Sequence, residues 1–386
     1  MKQLFQKKIL ACYYAFFVNG MMVLMVGAIL PYLISDAKID YSTAGGFLSA
    51  FAIGNLMASF INPICIKRFG KKVTVILFSA WIPIGLFVLT WIPPVAVMYL
   101  VFILMGIGRG SVSIFNNAVV NDENPGNPIA LNILHTLFAL GAFLAPFMTS
   151  LYIAGGFTWK AVVNTVMLLL VLALVLYQRM ELKEGEIVSK KEEVKTSVPY
   201  YKSVEFYVIG GLLFFYLGVE NCVNGWFVTY FKEQGIMSEM YATNLVSIVW
   251  LFVMLGRLMT AYCSKFVSSK RLILINCIGT ALFFVMLIAT SNLIVITLAI
   301  IGLGFFLAGI YPTCLSQAGT LIQGSSSGMS MLLAIAALGG ILAPQVVGII
   351  ADKVGLTLAI GFLSISVVIM VIFSTALQKS KGTCRK

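Results

Sequence analysis

Long apolar runs follow one another along almost the whole chain, separated by short polar segments. Crossing a membrane as a helix takes about 20 residues, and each run has this length. The twelve runs, called spans 1 to 12, cover residues 10–34, 43–66, 73–92, 95–118, 128–153, 159–179, 205–230, 240–262, 271–290, 293–316, 326–350 and 357–377. A β-barrel is excluded because its strands alternate between apolar and polar positions. The pattern predicts an all-α membrane protein with twelve transmembrane helices.

One long polar stretch lies near the middle of the chain, at residues 181–203. Its charged composition is typical of a cytoplasmic linker that does not pack against a core. It divides the chain into an N-terminal half of six helices, residues 1–180, and a C-terminal half of six helices, residues 204–386.

An internal repeat supports this division. The segment Leu140–Pro146 in span 5 reads LGAFLAP and matches LGGILAP at Leu338–Pro344 in span 11, at an offset of 198 residues. Gly54 in span 2 matches Gly256 in span 8, at an offset of 202 residues. Two repeated halves around a site near the membrane midplane are the design of alternating-access transporters.

The composition fits a protein that lies almost entirely within a membrane. Of the 386 residues, 60% are hydrophobic and 10% are charged, whereas soluble domains carry about 25% charged residues. No sizeable soluble catalytic domain fits into the remainder, so we expect no enzyme. The net charge of +12 comes from basic residues in short loops, and nothing else points to nucleic acid.

The basic residues lie mainly on one side of the predicted helices. Segments on that side hold twenty Lys and Arg residues, and loops on the other side hold four. The positive-inside rule then places both termini in the cytoplasm and the chain in the cell (cytoplasmic) membrane. One inner loop, residues 121–127, departs from the pattern because it carries Asp122 and Glu123.

The loop between spans 2 and 3 reads KRFGKK at residues 67–72. Four of these residues match the basic signature of the major facilitator superfamily, and the chain resembles that superfamily over essentially its whole length. The resemblance implies a fold of two pseudo-symmetric six-helix halves. The residues that we assign to gates or to structure are Arg68, Gly70, Lys71 and Arg257.

Shorter motifs are similar to those of the fucose–proton symporter-like sugar permeases, a group within this superfamily. They lie at Leu131–His135, Gly218–Glu220, Gly225–Trp226, Gly256–Arg257 and Tyr311–Thr313. The resemblance implies a secondary active transporter that carries a sugar by proton symport with alternating access. The acidic residue that this group often has in its first or fourth helix is absent here, and span 4 has Arg109 instead.

A charged side chain near the bilayer centre costs at least about 2.5–3.5 kcal/mol, so each one is a candidate for function. Glu220 lies within span 7, with Asn221 and Asn224 one and four positions further along. We predict that Glu220 couples protons and binds the solute. Trp226 is either an aromatic-belt or gate residue or a ring that stacks on a sugar.

Span 4 carries a second group of polar residues. Arg109 either binds an anionic group or couples to proton movement, or else stabilises a gate, and Asn116 and Asn117 follow it. His135, the only histidine, is a second candidate for proton coupling, with a structural role as the alternative. The further substrate-contact candidates are Asn19 and Thr313.

Several other functions lack their signals. No phosphate-binding loop, metal-ligand spacing or catalytic constellation is present, so we expect neither a metal nor another cofactor. A membrane sensor would need a signalling domain, and the sequence contains none. We therefore predict a monomeric transporter of a small polar organic solute, a sugar in the first place. The alternatives are an organic-anion transporter with Arg109 as counter-charge, or a drug or metabolite efflux pump.

Overall fold

The computed structural model describes residues 6–124, 128–181, 200–322 and 326–379, and within these ranges it contains helices and no strands. A 3₁₀ turn at Tyr200–Lys202 precedes the second half of the chain. The α-helices are α1 Lys7–Ala37, α2 Tyr41–Ser79, α3 Trp81–Leu89, α4 Val95–Glu123, α5 Pro128–Ala154, α6 Trp159–Gln178, α7 Val204–Glu233, α8 Glu239–Cys263, α9 Ser269–Ile288, α10 Leu293–Leu307, α11 Ile310–Ile322, α12 Ser326–Val354 and α13 Leu356–Lys379.

Spans 2 and 3 are joined without a conventional loop. Gly70 adopts φ 81° and ψ 163°, which breaks the helix within α2. Glycine adopts a positive φ without the steric cost that a Cβ imposes, so the chain turns here and becomes helical again at once. The stretch Tyr41–Leu89, 49 residues long, therefore contains both predicted spans.

Span 10 is divided into α10 and α11 at Ala308 and Gly309. The sequence suggests a bend at Pro312, and the break lies four residues earlier. A proline clashes with the carbonyl group of the residue four positions before it and donates no hydrogen bond to it. Pro312 therefore lies in the first turn of α11, and the helix is interrupted at Ala308.

The membrane-spanning prediction is confirmed. Within the described residues, eleven helical segments are long and apolar enough to cross a membrane. Because Tyr41–Leu89 holds two spans on either side of Gly70, these segments account for the twelve predicted spans. The chain is an integral membrane protein.

Close approach of helix backbones at glycines organises the first half. A Cβ added to Gly54 of α2 would lie 2.0 Å from the carbonyl oxygen of Ile103 in α4. A Cβ added to Gly141 of α5 would lie 2.0 Å from the carbonyl oxygen of Phe17 in α1. Such small-residue contacts let membrane helices pack backbone against backbone.

The second half repeats the same two contacts at the positions that the sequence repeat matches. A Cβ on Gly256 of α8 would lie 2.1 Å from the carbonyl oxygen of Phe305 in α10. A Cβ on Gly339 of α12 would lie 1.8 Å from the carbonyl oxygen of Phe214 in α7. The glycines that the sequence repeat matches therefore lie at contacts between equivalent pairs of helices.

The chain divides into two compact units. One contains residues 1–185 and 224–250, and the other contains 186–223 and 251–386. In the first unit α2 packs on α4, and α1 packs on α5 and α6. In the second unit α9 packs on α10, α11 and α13. The predicted linker at 181–203 lies mostly outside the described residues, and the division into halves at 180 and 204 stays a prediction.

Ion pairs hold the helix ends on the side with the basic segments. Lys71 pairs with Asp122 at 2.9 Å, and Lys8 pairs with Glu123. These two acids are the ones that depart from the positive-inside pattern, and their role here is to neutralise neighbouring lysines. In the second unit Glu205, only 5% exposed, pairs with Lys270 at 3.0 Å.

We predict that Gly141→Ala and Gly339→Ala each lower the thermal stability of the purified protein. The added methyl group overlaps a backbone carbonyl that cannot move without separating two helices, and such overpacking costs about 1–3 kcal/mol. Gly361→Ala in α13 is the matched control, because nothing lies within 4 Å of its added Cβ. Thermal melts in detergent measure all three, and equal melting temperatures would contradict the assignment of the two contacts.

Candidate functional site

The site is built around Glu220, a carboxyl group within the apolar helix α7. Glu220 is the seventeenth residue of α7, about 24 Å from its first residue at a rise of 1.5 Å per residue. The Tyr216 hydroxyl, one turn earlier, donates a hydrogen bond to Glu220 Oε1 at 3.0 Å. Tyr216 is 1% exposed, so this polar pair lies inside the protein.

Two further residues from other helices act on the same hydroxyl. The ring of Tyr311, at the start of α11, lies 5.9 Å from the ring of Tyr216. The charge of Arg257 in α8 acts electrostatically on the Tyr216 hydroxyl, as Glu220 does. We call Tyr216, Glu220, Arg257 and Tyr311 the Glu220 cluster, and all four belong to the second unit.

One nitrogen of the Arg257 guanidinium makes no hydrogen bond within the described part of the chain. This nitrogen is Nε, which is buried. From the sequence, Arg257 is assigned to a gate or to structure, Tyr311 lies only in a permease-like motif, and Tyr216 is not among the candidates. Tyr216 could have been found from its position four residues before Glu220, on the same helix face. No signal in the sequence places Arg257 beside Tyr216, because this depends on how α8 packs.

The asparagines after Glu220 contact different parts of the protein. Asn221 Nδ2 donates to the carbonyl oxygen of Gly340 in α12 at 2.9 Å, which ties two helices of the second unit together. Asn224 lies in the first unit, where its Oδ1 accepts a hydrogen bond from Trp250 Nε1 at 3.0 Å. Their predicted contact with the solute stays a prediction.

Trp226 is fully buried and contacts Tyr41 of α2 edge to face, with 6.0 Å between the ring centroids. The Tyr41 hydroxyl in turn donates to Glu233 at the end of α7. Asp40 accepts the Thr43 backbone N–H at 2.8 Å and so caps α2. The hydrogen bond from the Thr43 side chain, followed by the one from its backbone, lowers the pKa of the Asp40 carboxyl. Trp226 therefore lies among groups that hold α7 to α2.

A second set of contacts holds the same ends of α1, α7 and α8 together. Lys232 pairs with Glu239 at 3.0 Å, and the Tyr32 hydroxyl donates to Glu239 at 3.1 Å. The Lys232 ammonium also lies 3.7 Å from the centroid of the Tyr32 ring. In the first unit these helix ends are therefore held by charged and aromatic contacts together.

The polar residues of α4 contact three different neighbouring helices. The Arg109 guanidinium lies 5.7 Å from the ring centroid of Phe51 in α2. Asn116 Nδ2 donates to the Tyr177 hydroxyl of α6 at 2.8 Å. Asn117 lies 3.1 Å from His135 Nε2 of α5, through its Oδ1. These side chains therefore share one helix but contact three different neighbouring helices.

His135 and Asn117 form a polar pair next to an aromatic ring. The imidazole contacts Phe16 of α1 edge to face, with 5.3 Å between centroids. His135 is exposed, in contrast to Asn116, which is fully buried. The Asn117–His135 pair is therefore the more exposed part of the α4 group.

Two other substrate candidates lie deep inside the helices. Asn19 is 2% exposed, and its Oδ1 has no hydrogen-bond partner among the described residues. It lines a small cavity together with Ser79 and Tyr177. The Thr313 hydroxyl donates to the carbonyl oxygen of Gly309 at 2.6 Å, within the turn that follows the break between α10 and α11.

The basic signature adopts a defined geometry. The Arg68 guanidinium lies 5.4 Å from the ring of Phe69, Gly70 supplies the turn, and Lys71 is paired with Asp122. The stretch 67–72 contains no carboxylate, and Asp122 of α4 supplies the one that pairs with Lys71. Among the described residues, no group of three or more His, Cys, Asp or Glu side chains is arranged to hold a metal ion.

The fold and the site define a helical membrane protein with polar groups inside its spans. The model of the Major Facilitator Superfamily matches residues 12–344. The chain belongs to this superfamily, so it is a transporter of small molecules and not an enzyme. The family and the fold inferred from the sequence are confirmed.

The relatives found by sequence include transporters of glucose and mannose and of hexuronate. The chain is 22% identical over 390 residues to the glucose/mannose transporter GlcP of Bacillus subtilis (strain 168), covering 96% of this chain and 94% of that protein. It is 23% identical over 361 residues to the hexuronate transporter of the same organism, covering 84% and 83%.

Among solved structures, the chain is similar to a mutant of the nucleoside transporter NupG. The TM-score is 0.79 at 15% identity, covering 97% of this chain and 100% of that one. This likeness shows the fold.

We predict that Asn116 and Tyr177 are energetically coupled. Removing one partner of a buried hydrogen bond leaves the other unsatisfied, which costs about 1–3 kcal/mol. Asn116→Ala and Tyr177→Phe should therefore each destabilise the protein, and the double variant should be less destabilised than the sum of the two. A double-mutant cycle on reversible unfolding measures the coupling. Additive effects would show that the contact contributes nothing.

Proposed function

We propose that the chain is a proton-coupled symporter that carries a sugar or a closely related small polar solute across the cell membrane by alternating access. The observation that carries this proposal is Glu220, a carboxyl group within α7 that accepts a hydrogen bond from the buried Tyr216. The name of the glucose/mannose transporter, similar to this chain over nearly its full length, supports a sugar as the solute.

Glu220 is suited to proton coupling because a negative charge within a membrane span costs free energy. A deprotonated carboxylate within a membrane span needs a compensating partner, and the Tyr216 hydroxyl donates a hydrogen bond to it. Protonation removes the charge and with it the need for that compensation. A cycle in which Glu220 binds a proton together with the solute then links the two movements.

The proposal also covers a second proton-carrying residue, the oligomeric state and the orientation of the chain. His135 is the second proposed proton-carrying residue, because it is exposed and paired with Asn117. We propose that the chain works as a monomer with both termini in the cytoplasm, as the distribution of basic residues suggests.

Transport of an organic anion is the second candidate function. The observation in its favour is the similarity to the hexuronate transporter, whose name specifies a sugar acid. Arg109 is the predicted counter-charge, and its guanidinium lies over the ring of Phe51. Drug or metabolite efflux has no comparable observation in its favour.

We predict that Glu220→Gln abolishes uphill accumulation and leaves exchange intact. The glutamine side chain still accepts the Tyr216 hydrogen bond, but it cannot take up and release a proton. In proteoliposomes with an imposed pH gradient, accumulation should fall at least about tenfold, while counterflow of labelled glucose against unlabelled glucose continues.

Glu233→Gln is the matched control, because it makes the same change at the far end of the same helix. The amide oxygen of the glutamine still accepts the Tyr41 hydrogen bond, so accumulation should remain near the wild-type level. Accumulation that persists in Glu220→Gln would restrict Glu220 to binding or structure and would contradict the proposed coupling.

A further inference from the structure

We propose that Asn117 is a positioning residue for His135. It holds one ring hydrogen on Nε2, so that the imidazole takes up and releases its coupling proton at Nδ1 alone. The inference rests on the proposed function where it treats His135 as a proton-carrying residue. It names the atom that carries the proton, and it gives Asn117, a solute-contact candidate in the sequence, a different role.

The amide group of Asn117 is oriented by its own helix. Its Nδ2 donates a hydrogen bond to the carbonyl oxygen of Ser113, one turn earlier in α4, at 2.8 Å. The opposite orientation would place the amide oxygen against that carbonyl oxygen, and neither oxygen has a hydrogen to donate. The amide oxygen Oδ1 is therefore the atom that Asn117 presents to the imidazole of α5.

This oxygen determines which nitrogen of His135 carries a hydrogen. Asn117 Oδ1 lies 3.1 Å from His135 Nε2, which is a hydrogen-bond distance. An amide oxygen only accepts, and an imidazole nitrogen without a hydrogen also only accepts. Nε2 must therefore carry the hydrogen and donate it. In the neutral ring, Nδ1 is then the nitrogen that has no hydrogen.

A second contact holds the imidazole in this orientation. The ring meets Phe16 of α1 edge to face, with 5.3 Å between the centroids and 86° between the planes. Phe16 is 3% exposed and also packs against Phe138 of α5, at 5.3 Å between centroids. A half-turn of the imidazole, which would exchange the places of its two nitrogens, would have to pass Phe16 and break the hydrogen bond to Asn117.

The fixed hydrogen makes His135 a carrier that works at one atom. A proton binds to the lone pair of Nδ1 and gives the imidazolium, while the Nε2–H bond and its hydrogen bond to Asn117 stay as they are. Loss of the same proton from Nδ1 restores the neutral ring. A histidine that gains a proton at one nitrogen and loses one from the other conducts protons across its ring. Asn117 opposes this, because the loss of the Nε2 hydrogen would leave two acceptors facing each other.

Ionisable groups near these contacts affect the charge of the ring, but not the nitrogen that holds the first hydrogen. Lys8 of α1 pairs with Glu123 of α4, Lys71 pairs with Asp122, and the Tyr13 hydroxyl donates to a carbonyl oxygen of α5. Within eight positions of Phe16 and of Asn117 along α1 and α4, the ionisable residues are Lys8, Cys12, Tyr13, Tyr14, Arg109, Asp122 and Glu123. The position of the first hydrogen follows from the 3.1 Å contact alone.

The chain has one histidine, so nuclear magnetic resonance of the ring nitrogens reports on His135 alone. The full-length protein is purified with a tag free of histidine, labelled with ¹⁵N-histidine and placed in lipid nanodiscs. Couplings to the ring C–H protons identify the two nitrogens. We expect the neutral ring to give an N–H signal from Nε2 and a signal without hydrogen from Nδ1, and acidification to change Nδ1 alone into the N–H type. A neutral wild-type ring with its hydrogen on Nδ1, or with averaged signals, would overturn the inference.

Three variants test the part played by Asn117. Asn117→Leu removes the acceptor at similar size, so the two tautomers should exchange and the two nitrogen signals should move towards each other. Asn117→Asp keeps an acceptor oxygen and should keep the Nε2–H signal. Thr136→Val is the matched control next to His135, because its hydroxyl donates to the carbonyl oxygen of Asn132 at 2.8 Å, and it should leave both signals unchanged. Wild-type signals in Asn117→Leu would overturn the inference. If that variant does not fold, the wild-type spectrum and Asn117→Asp still decide.

Transport measurements separate this inference from the proposed function. In proteoliposomes with an imposed pH gradient, Asn117→Leu should lower glucose accumulation relative to Thr136→Val, while glucose exchange continues. If the spectra agree with the expectation but the accumulation does not fall, Asn117 positions the ring and the proposed coupling role of His135 fails. If the neutral wild-type ring holds its hydrogen on Nδ1 while Glu220→Gln abolishes accumulation, the proposed function stands and this inference fails.

Discussion

Contact between helix backbones at glycines is the constraint on which the rest of the structure depends. Within a membrane the hydrophobic effect does not drive helices together, so packing and hydrogen bonding must do so. At Gly54 and Gly141 in one half, and at Gly256 and Gly339 in the other, the neighbouring backbone comes so close that no side chain fits. The register of each helix pair is thereby fixed, and the polar groups further along the helices are positioned by it.

This register determines which polar side chains meet. On α4, Asn116 and Asn117 are adjacent in sequence, yet one bonds to α6 and the other contacts α5. On α7, Asn221 bonds to α12 while Glu220 accepts its hydrogen bond from Tyr216 of its own helix. Buried polar groups that are bonded in this way add to the specificity of helix packing.

Much of the fold could be predicted from the sequence because lipid imposes a simple rule. A span must be long, apolar and helical, so the spans and the repeat can both be read from residue types. The join at Gly70 and the break before Pro312 could not be predicted from residue types. Each depends on whether the chain becomes helical again after the interruption. Glycine and proline mark such places without determining the outcome.

In the candidate site, Glu220 and Tyr216 could be predicted from the sequence, but the residues that lie on other helices could not. Glu220 is conspicuous because a carboxyl group within a span is rare and costly, and Tyr216 follows from it by helical spacing. Arg257 and Tyr311 lie on other helices, and only the packing of α8 and α11 brings them to Tyr216. A proton gained on Glu220 would remove a charge that is costly within a membrane span, and this is the physical basis of the proton coupling that we propose for this residue.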